Sequence, residues 1–163
     1  MKKRLLLLPN FASTQGFIKL ANDDWQRRLI GKFGAVGEGI FSTVVAAGDG
    51  WVMQINEPVK ADLDGRSSKI YRDRKGYFGL VAQAFCDAAC RFIYFNVGWP
   101  GSTNDVIAYK QTKLYMAFER SELPDWVGMV LDEAYSSVGG THFTPFTKYQ
   151  LDRAYNANKY FYL

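Results

Sequence analysis

The residues of this sequence best suited to chemistry are three aspartates: Asp49, Asp105 and Asp132. Asp49 lies within Gly48-Asp49-Gly50, Asp105 follows the turn-like Pro100-Gly101-Ser102-Thr103-Asn104, and Asp132 follows the apolar run Val127–Leu131. Carboxylates at strand ends, converging on one edge of a sheet, are what a hard cation such as Mg²⁺ requires, because it prefers oxygen ligands and keeps several waters. Two such ions can activate water at phosphorus and stabilise the leaving oxygen. Other chemistries lack their parts. His142 is the single histidine and reads as structural. Ser102 has no G-x-S-x-G elbow around it, and no phosphate-binding G-x-x-x-x-G-K-[ST] loop occurs. Each aspartate also has a plainer reading. Asp-Gly is a strong hairpin dipeptide for Asp49. Asp105 could close a capping box opened by Ser102, and Asp132 could be a solvated strand end.

Composition narrows the setting. The chain has 163 residues, 48% of them hydrophobic and 16% aromatic, enough for one domain with a real core and too apolar for disorder. A net charge of +4 is compatible with a polyanionic partner without requiring one. Lys69, Arg72, Arg74 and Lys75 form a basic cluster suited to phosphate contacts, with a solvated loop as the alternative. Cys86 and Cys90 are spaced C-x-x-x-C beside one histidine, too few ligands for structural zinc, and read as two buried thiols in a reducing compartment. The apolar run Leu5–Leu8 ends at Pro9, shorter than a secretory core, and no segment has the length of a membrane span. A soluble protein with no membrane partner is the expectation.

The elements that must position the acids follow from periodicity. Asn22-Asp23-Asp24 can cap a helix from Trp25 to about Phe33, after which four glycines loosen the chain. Thr43–Ala47 and Trp51–Ile55 are strand-like, joined through Gly48-Asp49-Gly50. Lys60–Lys75 is polar and reads as an exposed loop. Tyr77–Cys86, apolar on both alternate faces, predicts a central strand covered on two sides. Phe92–Val97 is another strand, and a helix beginning near Ser102 would place Ile107, Leu114 and Phe118 on one face. Val127–Leu131 is a short strand, and Leu151–Leu163 reads as the first turns of a helix. Hairpin-linked strands followed by helix-linked ones predict an α/β fold with a mixed sheet flanked by helices.

Read in order, several short motifs carry a resemblance. They are Gly48-Asp49-Gly50, Arg74-Lys75-Gly76-Tyr77-Phe78, Gly98-Trp99-Pro100-Gly101-Ser102-Thr103-Asn104-Asp105, Leu131-Asp132-Glu133-Ala134-Tyr135, Thr144-Pro145-Phe146 and Tyr155-Asn156. The set resembles the nuclease domain of PIF/Harbinger transposases and their domesticated relatives, from about Val44 to the end. The resemblance divides the chain into a poorly matched helical lead-in, 1–40, and a DDE endonuclease domain, 41–163. It implies a ribonuclease-H-like fold and a triad of acids holding divalent metal, Mg²⁺ or Mn²⁺. Asp49 would be the first acid and Asp132 the second, with Asp105 a further acid near the metal. The implied activity is hydrolysis of DNA phosphodiesters followed by strand transfer, in the nucleus, alongside a Myb-like DNA-binding partner. Asp73 stands where the family usually has Asn, and Asn104 where His is common. The family's R-x-x-x-E helix would fall beyond Leu163, so the expectation is a truncated or degenerate copy without the last catalytic helix, cleaving poorly and binding DNA weakly. The alternative function is an inactive domesticated remnant that binds DNA or protein.

Overall fold

A computed structural model describes residues 28–29, 31–36, 39, 41–63 and 65–145. The helix expected over Leu151–Leu163 and the capping residues Asn22–Asp24 lie outside the described residues. The elements are α1 (Lys32–Val36), β1 (Val44–Gln54), β2 (Gly79–Cys86), β3 (Phe92–Pro100), α2 (Asp105–Lys110), α3 (Lys113–Glu119), β4 (Gly128–Val130) and β5 (His142–Phe143), with short 3₁₀ turns at Lys60–Asp62, Ser68–Tyr71 and Glu133–Tyr135.

The strands form one five-stranded sheet in the order β3-β2-β1-β4-β5. β1, β2 and β3 pair antiparallel, whereas β4 joins β1 in parallel and β5 joins β4 in parallel. The connections fit this: the short turn at 87–91 folds β3 back antiparallel on β2, and a helical crossover between β3 and β4 brings the chain back parallel to β1. This is the mixed, helix-flanked sheet expected of a ribonuclease-H-like fold. β2 is internal and almost wholly buried, as its two-sided apolar sequence predicts, and begins at Gly79 rather than Tyr77.

Several local expectations are corrected. Gly48-Asp49-Gly50 is not a hairpin; β1 runs straight through it as one eleven-residue strand paired along β2 from Ala47 to Gln54. The glycines fit because neighbours occupy the space their side chains would need. A Cβ on Gly48 would land on the Phe85 ring. The expected single helix after Ser102 is two. Thr112 caps α3 by accepting from the Tyr115 amide, which ends α2 at Lys110 and leaves Ile107 53% exposed rather than on the buried stripe. Near the start, Gly31 takes a φ of +75° and separates the helical Arg28-Leu29 from α1, where Gly34 is buried. The polar Lys60–Lys75 stretch is mostly exposed but folds into two 3₁₀ turns and buries Leu63. β3 reaches Pro100, and its register shift against β2 leaves Gly98 as a bulge between Val97 and Trp99.

The core gathers Val45, Phe85, Tyr94, Tyr109, Leu114, Met129 and Tyr135, each at most 1% exposed. Tyr109 from α2 sits within 6 Å of Phe85, Tyr115 and Tyr135, in tilted or edge-on arrangements that aromatic quadrupoles favour. Its hydroxyl lies 2.7 Å from Nε2 of His142, whose Nδ1 is 2.9 Å from the Gly139 carbonyl oxygen. A neutral ring donating to Gly139 and accepting from Tyr109 satisfies both, and burial lowers the histidine pKa in keeping with that. His142 is therefore structural. The cysteines are not a buried pair: Cys86 is half-buried and Cys90 exposed in the β2–β3 turn at φ +58°.

That turn is organised by Asp87, which is 1% exposed. Its Oδ1 accepts from the Ala89 and Arg91 amides and its Oδ2 from the Arg91 guanidinium at 2.6 and 2.9 Å. Burial alone would raise its pKa, but Arg91 and the two amides outweigh burial and hold it below the usual range. Arg91 is 60% exposed, so solvent screens its share of that stabilisation. Asp87→Ala should cost about 1–2 kcal/mol in denaturant unfolding. A depressed folded pKa contributes stability above the unfolded value, about 3.9, that is lost as pH falls. The wild-type advantage over the variant should therefore shrink below about pH 4; an advantage that persists unchanged there would assign it to packing alone.

Candidate active site

Two of the three aspartates come from the neighbouring strands β1 and β4, Asp49 midway along β1 and Asp132 after β4. The strands are adjacent and parallel, with Ala47 opposite Val130. Asp49 and Asp132 each lie two residues beyond that pair, Asp132 just past the end of β4. Asp49 is still inside β1, opposite Ala84 of β2, and its Oδ1 accepts from the Gly50 amide at 2.7 Å. Asp132 follows β4 and caps the Glu133–Tyr135 turn, its Oδ1 accepting from the Ala134 amide at 2.9 Å.

Asp105 arrives from the helical layer. The capping box expected with Ser102 does not form. Asn104 is the N-cap, accepting from the Val106 amide, and Asp105 is the first residue of α2. The Asp105 carboxyl is thereby released from the capping role its sequence position suggested. It is raised in pKa, first by burial, then by the negative charge of Asp49 and, more weakly, of Asp132, with Arg74 pulling the other way. The same three carboxylates raise Tyr135, after burial. The acids therefore share one electrostatic neighbourhood.

Beneath them lies a polar network that periodicity alone did not reveal. Gln83 is the one polar side chain of β2 and is fully buried. Its Oε1 accepts from the Tyr135 hydroxyl at 2.9 Å, and its Nε2 donates to the Asp105 carbonyl oxygen at 3.3 Å. These groups close over Gly50. A Cβ there would stand 2.5 Å from Asp105 Oδ1, 2.5 Å from Gln83 Nε2 and 2.8 Å from the Tyr135 hydroxyl. Gly50 is thus the floor on which β2, α2 and the turn after β4 meet. A glutamine inside the apolar run Gly79–Cys86 was the available signal, since a buried amide must find partners.

The basic cluster divides. Arg74 and Lys75 line an open groove that also includes Gly50, Tyr77, Ser102 and Asp105. Lys69 and Arg72 are absent from its walls. Lys69 sits on the Ser68–Tyr71 turn, and the Arg72 guanidinium rests 5.3 Å from the centre of the Phe78 ring.

The carboxylates suit a divalent cation in donor chemistry, being hard oxygens. They do not form a closed cage: among the described residues no three acidic, histidine or cysteine side chains are grouped closely enough to hold an ion. Asp49 and Asp132 each have one carboxylate oxygen accepting from a local amide. Among the described residues no helix is long and apolar enough to cross a membrane.

Residues 48–160 match the family described as DDE superfamily endonuclease. The chain is also similar to Protein ALP1-like of Arabidopsis thaliana, 34% identical over 56 residues, a stretch that covers 34% of this chain and 14% of that protein. No solved structure matches it.

Proposed function

We propose that the chain, which belongs to the DDE superfamily endonucleases, is a PIF/Harbinger-type nuclease domain whose Asp49, Asp132 and Asp105 bind Mg²⁺ or Mn²⁺ for hydrolysis of DNA phosphodiesters. The observation that carries this reading is the parallel pairing of Ala47 with Val130, which puts Asp49 and Asp132 each two residues on along neighbouring strands. Asp49 and Asp132 would hold the cation between them, and Asp105 would face it from α2. The metal would supply an activated water and charge stabilisation at the leaving oxygen. The protein's share is to fix the carboxylates, through β1, the Ala134 amide and the Gln83–Tyr135 network, and to neutralise substrate phosphates with Arg74 and Lys75.

Two measurements test it together: Mn²⁺ titration of the 163-residue protein, and plasmid nicking with Mg²⁺ or Mn²⁺. Asp49→Asn and Asp132→Asn should each weaken Mn²⁺ binding about tenfold or more, and nicking should fall with it. Asp125→Asn, at an exposed acid outside this cluster, should change neither. Mn²⁺ binding that survives both substitutions would refute the metal assignment. Mn²⁺ binding without nicking would favour the inactive, DNA-binding remnant.

A further inference from the structure

The groove beside Asp105 has one wall whose construction the metal chemistry does not explain. Residues Asp73–Tyr77 form a fixed turn. Asp73 Oδ1 accepts from the Lys75 and Tyr77 amides at 2.9 Å each, and the Asp73 amide donates to the Tyr77 carbonyl oxygen at 2.8 Å. The Gly76 amide donates to the Asp73 carbonyl oxygen at 3.1 Å, and Gly76 takes a φ of +86° that a side chain would resist. This turn carries Arg74, Lys75 and Tyr77 into one groove. Tyr77 remains 53% exposed there, a large ring in solvent next to two cations. Gly101, Ser102 and Thr103 line the same groove, in a turn tied down by the Thr103 amide to the Pro100 carbonyl oxygen at 2.8 Å and the Ser102 amide to the Ile70 carbonyl oxygen at 3.1 Å. Arg74 also acts on Asp105 electrostatically, so the cationic wall and the acid are neighbours.

We propose that this groove takes an unpaired DNA strand, with the Tyr77 ring stacking on one base, Arg74 and Lys75 holding the flanking phosphates, and the backbone directed toward Asp105. Resting on the nuclease reading, it specifies the form of DNA that the site accepts. In a duplex each base face is covered by its neighbours and only phosphates reach outward. An aromatic ring at the level of the phosphate-binding cations gains a partner only where a base has left the stack. The turn holds the Tyr77 backbone in place beforehand, so little ordering is left for binding to impose.

The test is binding of a short labelled single strand and of its duplex by the 163-residue protein, by fluorescence anisotropy in EDTA, so that neither metal nor cleavage enters. Tyr77→Ala should weaken single-strand binding about tenfold, the scale of one base–aromatic stack. Duplex binding should change less than about twofold, and Tyr77→Phe should restore the single-strand affinity, because the ring and not the hydroxyl makes the contact. Arg74→Ala should weaken both forms and reduce the salt dependence by about one phosphate contact. A second reading uses the unaltered protein: abasic nucleotides walked along the strand should produce the same loss at a single position. Equal losses on both DNA forms for Tyr77→Ala, no loss on either, no rescue by Phe, or no position sensitive to an abasic site would each overturn the proposal. Because binding is measured without metal, failure here leaves the Mn²⁺ result for Asp49 and Asp132 untouched, and failure there leaves this one standing.

Discussion

Gly50→Ala is expected to weaken Mn²⁺ binding about 10- to 100-fold, the scale seen when groups supporting a metal ligand are lost, while leaving the protein folded. The added methyl meets three polar groups at once: Asp105 Oδ1, Gln83 Nε2 and the Tyr135 hydroxyl, at 2.5, 2.5 and 2.8 Å. None can stay where it is. The cheapest escape is rotation of the Asp105 carboxyl away from β1, since Gln83 is enclosed on all sides and Tyr135 is fully buried. The stability cost should be about 1–3 kcal/mol, typical of overpacking. The functional cost should be larger in proportion, because a displacement of about 1 Å at a reacting centre can cost a hundredfold in rate. Tyr135→Phe provides the contrast. It adds no bulk and removes the bond to Gln83, so it should reduce stability by about 1–3 kcal/mol through an unsatisfied buried amide, with a smaller effect on the metal. A Gly50→Ala protein that binds Mn²⁺ like the wild type would show that Asp105 lies outside the metal's reach.

Gly48→Ala should be the most destabilising single methyl in β1, about 3 kcal/mol, at the upper end for overpacking. For a chain of this size that corresponds to roughly 6–12 °C in melting temperature. Its Cβ would land on the Phe85 ring, which is fully buried and boxed by Tyr94 at 5.8 Å and Tyr109 at 5.4 Å between ring centres. Gly48 and Phe85 are also backbone partners across the β1–β2 ladder, so the strands cannot part without losing hydrogen bonds. Thermal melts of Gly48→Ala, Phe85→Leu and the double variant make the cause visible. Phe85→Leu alone should destabilise by loss of packing, and the double variant should be more stable than the sum of the two singles predicts. Simple additivity would mean that the ring is not what the methyl meets.

The two glycines act differently although they flank the same aspartate. Side chains alternate along a strand, so Gly48 and Gly50 share the face of Gln83 and Phe85, while Trp51 lies on the other. Trp51 in turn meets Phe95 of β3 on that opposite face, with ring centres 5.6 Å apart. One glycine thus makes room for the core and the next for the site.

Much of this was legible in the sequence. The apolar run of β2 identified an internal strand because both its faces are covered, and burial on two sides leaves no polar alternation. The ordered motifs identified the family, since spacing between turns and strand ends is a property of the chain itself. The lone histidine read correctly as structural. What periodicity could not decide was anything set by a neighbour distant in sequence. Gly-Asp-Gly has the local chemistry of a hairpin, and only β2, with the Phe85 ring over Gly48, holds it extended. Ser102-x-x-Asp105 has the spacing of a capping box, but the Ser102 amide is bound to Ile70, and Asn104 takes the cap. Ile107 lies at helical spacing from Leu114, yet Thr112 starts a new helix and the phase is lost.

The sequence by itself determined which carboxylates, cations and aromatic rings are available, and in what order, because those are covalent facts. Tertiary structure decided which of them meet. Ala47 pairs with Val130 across 83 residues of chain, and this long-range register puts the Asp49 stretch of β1 next to the strand that Asp132 follows. It also seated Gln83 under Asp105 and Tyr135, and separated Arg74 and Lys75 from Lys69 and Arg72. The physical reason is that strand register and helix docking are fixed by burial of the whole core, and no local stretch of sequence contains that information.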